Sequence, residues 1–439
     1  MTDDLRQRLA ARLSTAPVEE GRVVAATSAR IRARMPAAEV GAVVRVERAA
    51  GPLRAEVVGF EGDEAVLLPF ASPVGVRPGA GVQPDPVGAR APRLEAVLGD
   101  VIDPLGRSLR GGVTHPADGY PLDAPSPDPL ARPPVGDHAA TGVRVIDALA
   151  PIARGQRVAL FAGSGVGKST LLASLARGIE ADVRIVALVG ERGREVGEFV
   201  DDVLDAETRS RSVVVAATSD APPVLRIRAA LLATALAEEA RAAGLHAVLL
   251  VDSLTRYARA LREAALIAGE APARRGYPAS VFATLPRLVE RAGLAGEGAI
   301  TAVYSVLVEG GDMDEPIADE VRGLVDGHLV LRRALAERGH FPAVDGLASV
   351  SRVAPRIVDA EVLAAQRALR RAMAAWERQR DAIELGLYTR GGDPVVDAAI
   401  ELRPRWLALL QQTPTMTTAW TETRARLLAL AREIPPEAR

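Results

Sequence analysis

Cysteine is absent from the 439 residues, which removes disulfides, thiolate nucleophiles and cysteine-based metal centres together. The five histidines (His115, His138, His246, His328 and His340) are scattered, with no spacing that would set two imidazoles on one metal. Aromatic residues make up only 3%, so the cores have to be built mostly from alanine, leucine and valine. Neither sign of charge dominates: 54 lysines and arginines stand against 56 aspartates and glutamates, a net of −2. That balance asks for neither a nucleic acid nor a membrane surface. No apolar run reaches the ~18 residues of a membrane-spanning helix, and the opening residues, MTDDLRQRLAARL, lack the apolar stretch of a secretory signal. These absences together favour a cytoplasmic protein.

Hydrophobic residues supply 48% and charged residues 25%, an ordinary globular composition over a length that suits about three domains. Leu5, Leu9 and Leu13 recur at helical spacing, predicting a short N-terminal helix ended by Pro17. Residues 21–92 hold short strand-like runs cut by glycine and proline, the pattern of a small β-barrel. In one run Ala29, Ile31, Ala33 and Met35 alternate with Arg30, Arg32 and Arg34. The arginine face is either a solvated barrel surface or a site for an anionic partner. Residues 121–134 contain six prolines and can neither continue a helix nor pair in a central strand, so they read as an extended connection. Beyond them, continuous apolar runs at 157–161, 184–189, 212–218, 246–251 and 299–308 alternate with helical patterns. Runs without polar alternation predict parallel strands covered on both faces. From about residue 355 the pattern is helical, broken at 391–394 (GGDP) and 413–416 (TPTM).

The segment AGSGVGKS at 162–169 follows a predicted strand and opens a predicted helix, the context that a phosphate-binding loop requires. Glycines let backbone N–H groups converge on phosphate oxygens, and the helix N-terminus adds its positive end. Lys168 then reaches the β- and γ-phosphates and the Ser169 hydroxyl ligates Mg²⁺. Ala162 departs from the strict pattern, which has glycine there. A carboxylate at the end of a neighbouring buried strand is also needed. Asp252, after the run 247–251, supplies it, unless it merely caps the helix that follows. In GERGRE (190–195), Glu191 stands where a strand ends and can polarise the attacking water; Glu195, one turn on, competes for that role.

GSGVGKST, GERGREVGEF, LLVDSLTRYARALREAAL, RRGYPASVFATLPRLVERAG, VEGGDMDEPIADEVRGLVDGHLVL and FPAVDGLASVSRV occur in this order. In that order they resemble the ATPases of flagellar and virulence-type type III secretion, relatives of the rotary ATPase catalytic subunits. The resemblance runs from about 90 to 410. It implies an α/β fold whose RecA-like P-loop core (93–354) follows a β-barrel (21–92) and precedes a C-terminal helical domain (355–439), after a flexible N-terminal helix (1–20). It further implies a homohexamer that hydrolyses ATP with Mg²⁺. The phosphate set becomes Gly163, Ser164, Gly165, Val166, Gly167, Lys168, Ser169 and Thr170. Glu191 looks like the catalytic glutamate with Arg192 beside it, and Asp252 like the Mg²⁺-orienting aspartate. Phe341 stands where the family stacks an aromatic on adenine, the alternative being a core aromatic beside Pro342. Arg352 looks like a finger offered to the next subunit, although nothing local marks it. Residues 310–320 look like an acidic loop facing the central channel, for a basic stalk or basic cargo.

The implied partners are a central stalk, a peripheral regulator or stator, and chaperone–cargo complexes at the cytoplasmic face of a membrane export gate, with no nucleic acid. Residues 413–439 carry no matching pattern. The segment TSARIRARMP leans toward the virulence-type branch. Other readings are a rotary ATP synthase catalytic subunit, a nucleotide-binding regulatory subunit without hydrolysis, and a hexameric RNA translocase. Glu191 and Arg352 in one chain argue against the first two. The mild acidity and the lack of aromatics among basic residues argue against the third.

Overall fold

The alternation at residues 31–35 becomes a strand with one buried face. In the computed structural model, which describes residues 21–85, 89–203 and 205–436, Ile31, Ala33 and Met35 are buried while Arg34 is exposed. Ala29 is exposed and stands before the strand, so the alternation starts at Ile31 and not at 29. Six strands close into a barrel: β1 (Gly21–Ala26), β2 (Ile31–Arg34), β3 (Val43–Val46), β4 (Leu53–Glu61), β5 (Glu64–Pro69) and β6 (Gly81–Pro84), in the order β1-β2-β5-β4-β3-β6. Pairing of β1 with both β2 and β6 leaves no open edge. The arginines of β2 meet acids of the β4–β5 hairpin. Arg32 lies 3.4 Å from Glu64, Arg34 lies 3.0 Å from Asp63, and Arg30 pairs with Glu61. The hairpin neutralises that face, which makes it a salt-bridged barrel surface. The N-terminal helix predicted from Leu5, Leu9 and Leu13 lies outside the described residues.

The apolar runs form one sheet. Its strands are β7 (Val101–Ile102), β8 (Arg157–Ala162), β9 (Val183–Glu191), β10 (Ser212–Thr218), β11 (His246–Asp252), β12 (Gly293–Ala295), β13 (Gly298–Leu307), β14 (Gly327–Val330) and β15 (Val350–Ser351). They run in the order β15-β14-β8-β13-β11-β9-β10-β7, with β12 on β13; all pairs are parallel except β14–β15 and β12–β13. Every residue of β9 and β11 is buried, which explains why these strands read as unbroken apolar runs. Side chains still alternate. Val158, Leu160, Val186, Leu188, Val248 and Leu250 face one core, while Phe161, Ile185, Val189, Leu249 and Val251 face the other.

The second core is covered by helices α3 (Pro223–Ala242), α4 (Leu254–Ile267) and α5 (Ala279–Val289). The first is covered by α1 (Lys168–Gly178) together with the C-terminal helices α6 (Ala360–Glu384), α7 (Pro394–Leu410) and α8 (Trp420–Arg432). Between α1 and α3, the short helix α2 (Gly193–Glu198) follows β9. The C-terminal helices thus share a core with the helix behind the glycine-rich loop, through Val362, Leu369, Trp376, Leu409 and Leu427. The breaks foreseen at GGDP and TPTM fall between α6 and α7 and between α7 and α8. No helix among the described residues is long and apolar enough to cross a membrane.

Candidate active site

Register brings the site together. Leu188 of β9 pairs with Asp252 of β11, Val251 with Tyr304 of β13, and Leu307 of β13 with Ala162 of β8. The C-terminal ends of four parallel strands therefore lie side by side, where ligands of open α/β sheets bind. From Ala162 the chain turns through Gly165 (φ 77°) and Gly167 (φ 93°), left-handed conformations that glycine adopts without steric cost. Ala162 itself is the last, extended residue of β8, so its Cβ is tolerated there. Gly167 is the N-cap of α1, which aims that helix's positive end at the loop.

Three charged side chains meet under the loop. The Lys168 ammonium pairs with Asp252 and lies 3.4 Å from Glu191. Asp252, 2% exposed, also accepts a hydrogen bond from Ser305 Oγ at 2.7 Å. It does not cap the next helix. Ser253 does that, accepting from the Arg256 N–H, and this leaves the aspartate to the site. Glu191, 5% exposed, lies 3.0 Å from Arg256 Nη1, and the same guanidinium donates to the Gly190 carbonyl. Burial pushes the Glu191 carboxyl up to about 7, helped by its hydrogen bond to Glu195, against the pull of Lys168 and Arg256. The same bond holds Glu195 below its ordinary range. As pH falls, Glu191 is therefore the member of this pair that takes up a proton first.

A cavity of about 320 Å³ opens over these groups, lined by Gly163, Ser164, Gly165, Gly167, Lys168, Ser169, Thr170, Glu191, Arg192, Glu195, Arg256 and Leu307. Arg192 is the N-cap of α2; its side chain is largely exposed, 3.7 Å from Glu195. Val166 turns away, buried, into a second cavity of about 690 Å³. Gly167 and Thr170 line both. The second cavity is mostly apolar, walled by Val143, Leu171, Phe341, Pro342, Ala343 and the stretch 411–416. Phe341 is 46% exposed, so its ring forms cavity wall and is not a core aromatic.

A triphosphate and a hard divalent ion fit this donor set. Backbone N–H groups and a lysine are offered to the phosphates, and a hydroxyl at Ser169 and a buried carboxylate at Asp252 are hard oxygen ligands for the ion. Among the described residues no cluster of three His, Cys, Asp or Glu side chains forms a metal cage.

Arg352 stands apart from these groups. It follows β15, whose Ser351 pairs with Gly327, and Gly327 pairs with Val158 near the start of β8. This is the end of the sheet opposite the loop. Its exposed guanidinium donates to the carbonyls of Val325 and Arg322, each at 3.2 Å. Residues 310–320 turn through Gly310 into the helix Pro316–Leu324.

Comparison with known proteins decides what the site belongs to. Residues 142–351 match the ATP synthase alpha/beta family nucleotide-binding domain, and 358–429 match the T3SS EscN ATPase C-terminal domain. The flagellum-specific ATP synthase of Pseudomonas aeruginosa is 46% identical, over 95% of this chain and 94% of that protein. The type 3 secretion system ATPase of Pseudomonas syringae pv. tomato is 43% identical, over 97% of each. The assembled ATPase EscN from the enteropathogenic E. coli type III secretion system superposes with a TM-score of 0.88 at 40% identity. That match covers 94% of this chain and 100% of EscN; in complex with its central stalk EscO, the TM-score is 0.86. The chain belongs to the family of flagellar and type III secretion ATPases. It is an ATPase.

Two groups in this ATPase site are given no role in the sequence reading, although Arg256 lies within the segment LLVDSLTRYARALREAAL. Arg256 sits one turn into α4, four residues after Asp252, and a helix starting at Ser253 is the signal that aims it at Glu191. The stretch 411–416 closes the second cavity, and the matched C-terminal domain, which extends to residue 429, corrects the reading of 413–439 as carrying no matching pattern as far as that residue.

Proposed function

We propose that this chain hydrolyses ATP with Mg²⁺ as one subunit of a homohexamer and that the hydrolysis drives type III protein export. The observation that carries the reading is the convergence of Lys168, Asp252 and Glu191 beneath a glycine-rich loop, at the ends of adjacent parallel strands. Phosphates are bound by the backbone of 163–169, Lys168 and Thr170, and the adenine stacks on Phe341 in the apolar cavity. Ser169 and Asp252 are the residues that would hold the metal, and bound there it would supply charge neutralisation on the β- and γ-phosphates. Glu191 accepts the proton of the attacking water once Lys168 has moved toward phosphate. Arg256 keeps the carboxylate in position and Arg192 faces the phosphate side. Burial of Glu191 and its two cationic neighbours support it over Glu195, whose side chain is 38% exposed.

Arg352 completes the site of the next subunit. Its place at the far end of its own sheet supports this, because it cannot reach the phosphates of its own chain. A rotary synthase catalytic subunit draws this arginine from a different chain, and a regulatory subunit has no use for Glu191. The likeness to EscN in its assembled form and with a stalk supports a ring around a central stalk. The acidic stretch 310–320 lines the channel. A peripheral stator and chaperone–cargo complexes complete the partners, at the cytoplasmic face of the membrane. In this reading the motor releases secreted proteins from chaperones, unfolds them and passes them to the export gate. The two branches match the chain about equally, so the lean toward virulence-type export rests on TSARIRARMP. Rod and hook genes or needle and secretin genes beside its own decide that point.

The test of export is made in the parent cell. With Glu191→Gln at the chromosomal locus, secreted proteins should vanish from the medium while the level of the chain is unchanged. Undiminished export would overturn the reading.

A further inference from the structure

Arg144 is 4% exposed, and its guanidinium is spent on the end of a helix from another part of the chain. Nε donates to the Leu409 carbonyl at 2.7 Å; Nη2 donates to the carbonyls of Ala408, at 3.4 Å, and Gln411. Nη1 donates to Thr418 Oγ1 at 3.1 Å and meets Met416 Sδ at 3.3 Å. The final carbonyls of a helix have no partners inside it, so Arg144 acts as the C-terminal cap of α7, with the charge that suits that end.

The contact is reciprocated. Gln412 Oε1 accepts from the Arg144 N–H at 2.9 Å, and its Nε2 donates to the Gly142 carbonyl at 2.7 Å. The Thr418 N–H donates to that same carbonyl at 3.0 Å, and the Gln412 N–H to the Phe341 carbonyl at 2.9 Å. From α1, Ser174 Oγ and Arg177 Nη2 donate to the Pro414 carbonyl at 3.0 and 2.7 Å. Arg144, Ser174, Phe341, Gln411, Gln412 and Pro414 all wall the large apolar cavity. A base seated there touches the helix behind the phosphate loop, the segment before β8 and the end of α7 together. The phosphate cavity has no wall from beyond residue 307.

We propose that Arg144 is a positioning residue that makes the C-terminal helices sense the base of the bound nucleotide. The base cavity and the cap of α7 are one hydrogen-bonded unit with Arg144 at its centre. A ligand shifts an equilibrium only through contacts that differ between states. A base contacts 411–416, whereas a triphosphate alone does not. This rests on the assignment of the apolar cavity to the base.

Hydrogen exchange of the full-length chain reads it directly, because the Gln412 and Thr418 amides are themselves clamp bonds. Two probes are compared, each with Mg²⁺: adenylyl imidodiphosphate and inorganic tripolyphosphate. Both should slow exchange at 163–171, and only the nucleotide should slow it at 411–418. This comparison needs no substitution. In Arg144→Lys the nucleotide should still protect 163–171 but no longer 411–418. A lysine keeps the charge and cannot make the fan of bonds. The KM for ATP should rise roughly tenfold, as for a lost charge-assisted bond, with kcat within about threefold. Equal protection of 411–418 by tripolyphosphate, or retained nucleotide protection in Arg144→Lys, overturns the proposal and leaves the ATP site standing. If the nucleotide protects 163–171 but not 411–418 in the wild-type chain, the base cavity itself is misassigned.

Discussion

At the phosphate end of the cleft, two buried carboxylates and a half-buried lysine lie within reach of one another on three neighbouring elements. At the base end, separated stretches of chain supply an apolar wall with one half-exposed ring. Buried charge is costly unless each group meets a partner at short range, so the phosphate end needs particular residue types at particular strand ends. An apolar wall needs only area, and leucine, valine, proline or methionine from any segment can give it. Substitutions at the first end should therefore abolish chemistry, and those at the second should only weaken binding.

The largest effect is expected at Lys168. Lys168→Ala removes the cation shared by Asp252 and Glu191, so steady-state phosphate release should fall to background and nucleotide affinity should drop. Turnover at the wild-type rate would remove the phosphate assignment altogether. Glu191→Gln comes next. It keeps size and hydrogen bonding but accepts no proton, so kcat should fall by roughly 10²–10⁴ while nucleotide binding, followed by a fluorescent analogue, is kept. Glu195→Gln should be milder, and the reverse order would move the base to Glu195.

A pH profile sharpens the same end. Burial pushes Glu191 up to about 7, and the proposed base can act only when ionised. kcat/KM should therefore fall as pH drops through about 7 and level off above it. The Glu195 carboxylate raises Glu191 by accepting its proton's hydrogen bond, so Glu195→Gln should move the acid limb to lower pH. An unmoved limb would separate the two groups. The smallest effect belongs to the base end. Phe341→Ala should raise the KM for ATP roughly three- to tenfold, the worth of one aromatic contact, with kcat nearly unchanged; Phe341→Tyr should be near neutral. An unchanged KM in the alanine variant would take the ring out of the base site.

The same contrast explains what could be read from the chain. Strands buried on both faces announce themselves as apolar runs, and β9, β10, β11 and β13 lie within three residues of the runs that predict them. The phosphate loop is contiguous, with Gly165 and Gly167 where φ is positive, so its conformation is written in eight residues. The acids at 191 and 252 are legible as the last residues of such strands. Arg256 is not, because its role depends on where α4 starts and which face then meets Glu191. The segment 411–416 is not legible because it contributes area, backbone carbonyls and the amide of Gln412, which no pattern of residue types marks. At Ala29 the pattern misled, since two more residues of alternation lie in a turn before β2 begins.

The central claim, that each active site is shared between two chains, is tested by mixing two inactive proteins. Arg352→Ala keeps Glu191 but lacks the finger, whose loss in related phosphoryl-transfer enzymes costs ~10³–10⁵ in rate. Glu191→Gln keeps the finger and lacks the base. Labelled chains first establish subunit exchange, and ATP hydrolysis is then measured across mixing ratios. Recovered hydrolysis, greatest near equal amounts and below wild type, is the predicted result, because some interfaces then combine an intact Glu191 with an intact Arg352. No recovery despite proven exchange, with wild-type activity per subunit flat down to nanomolar concentration, would contradict the shared site.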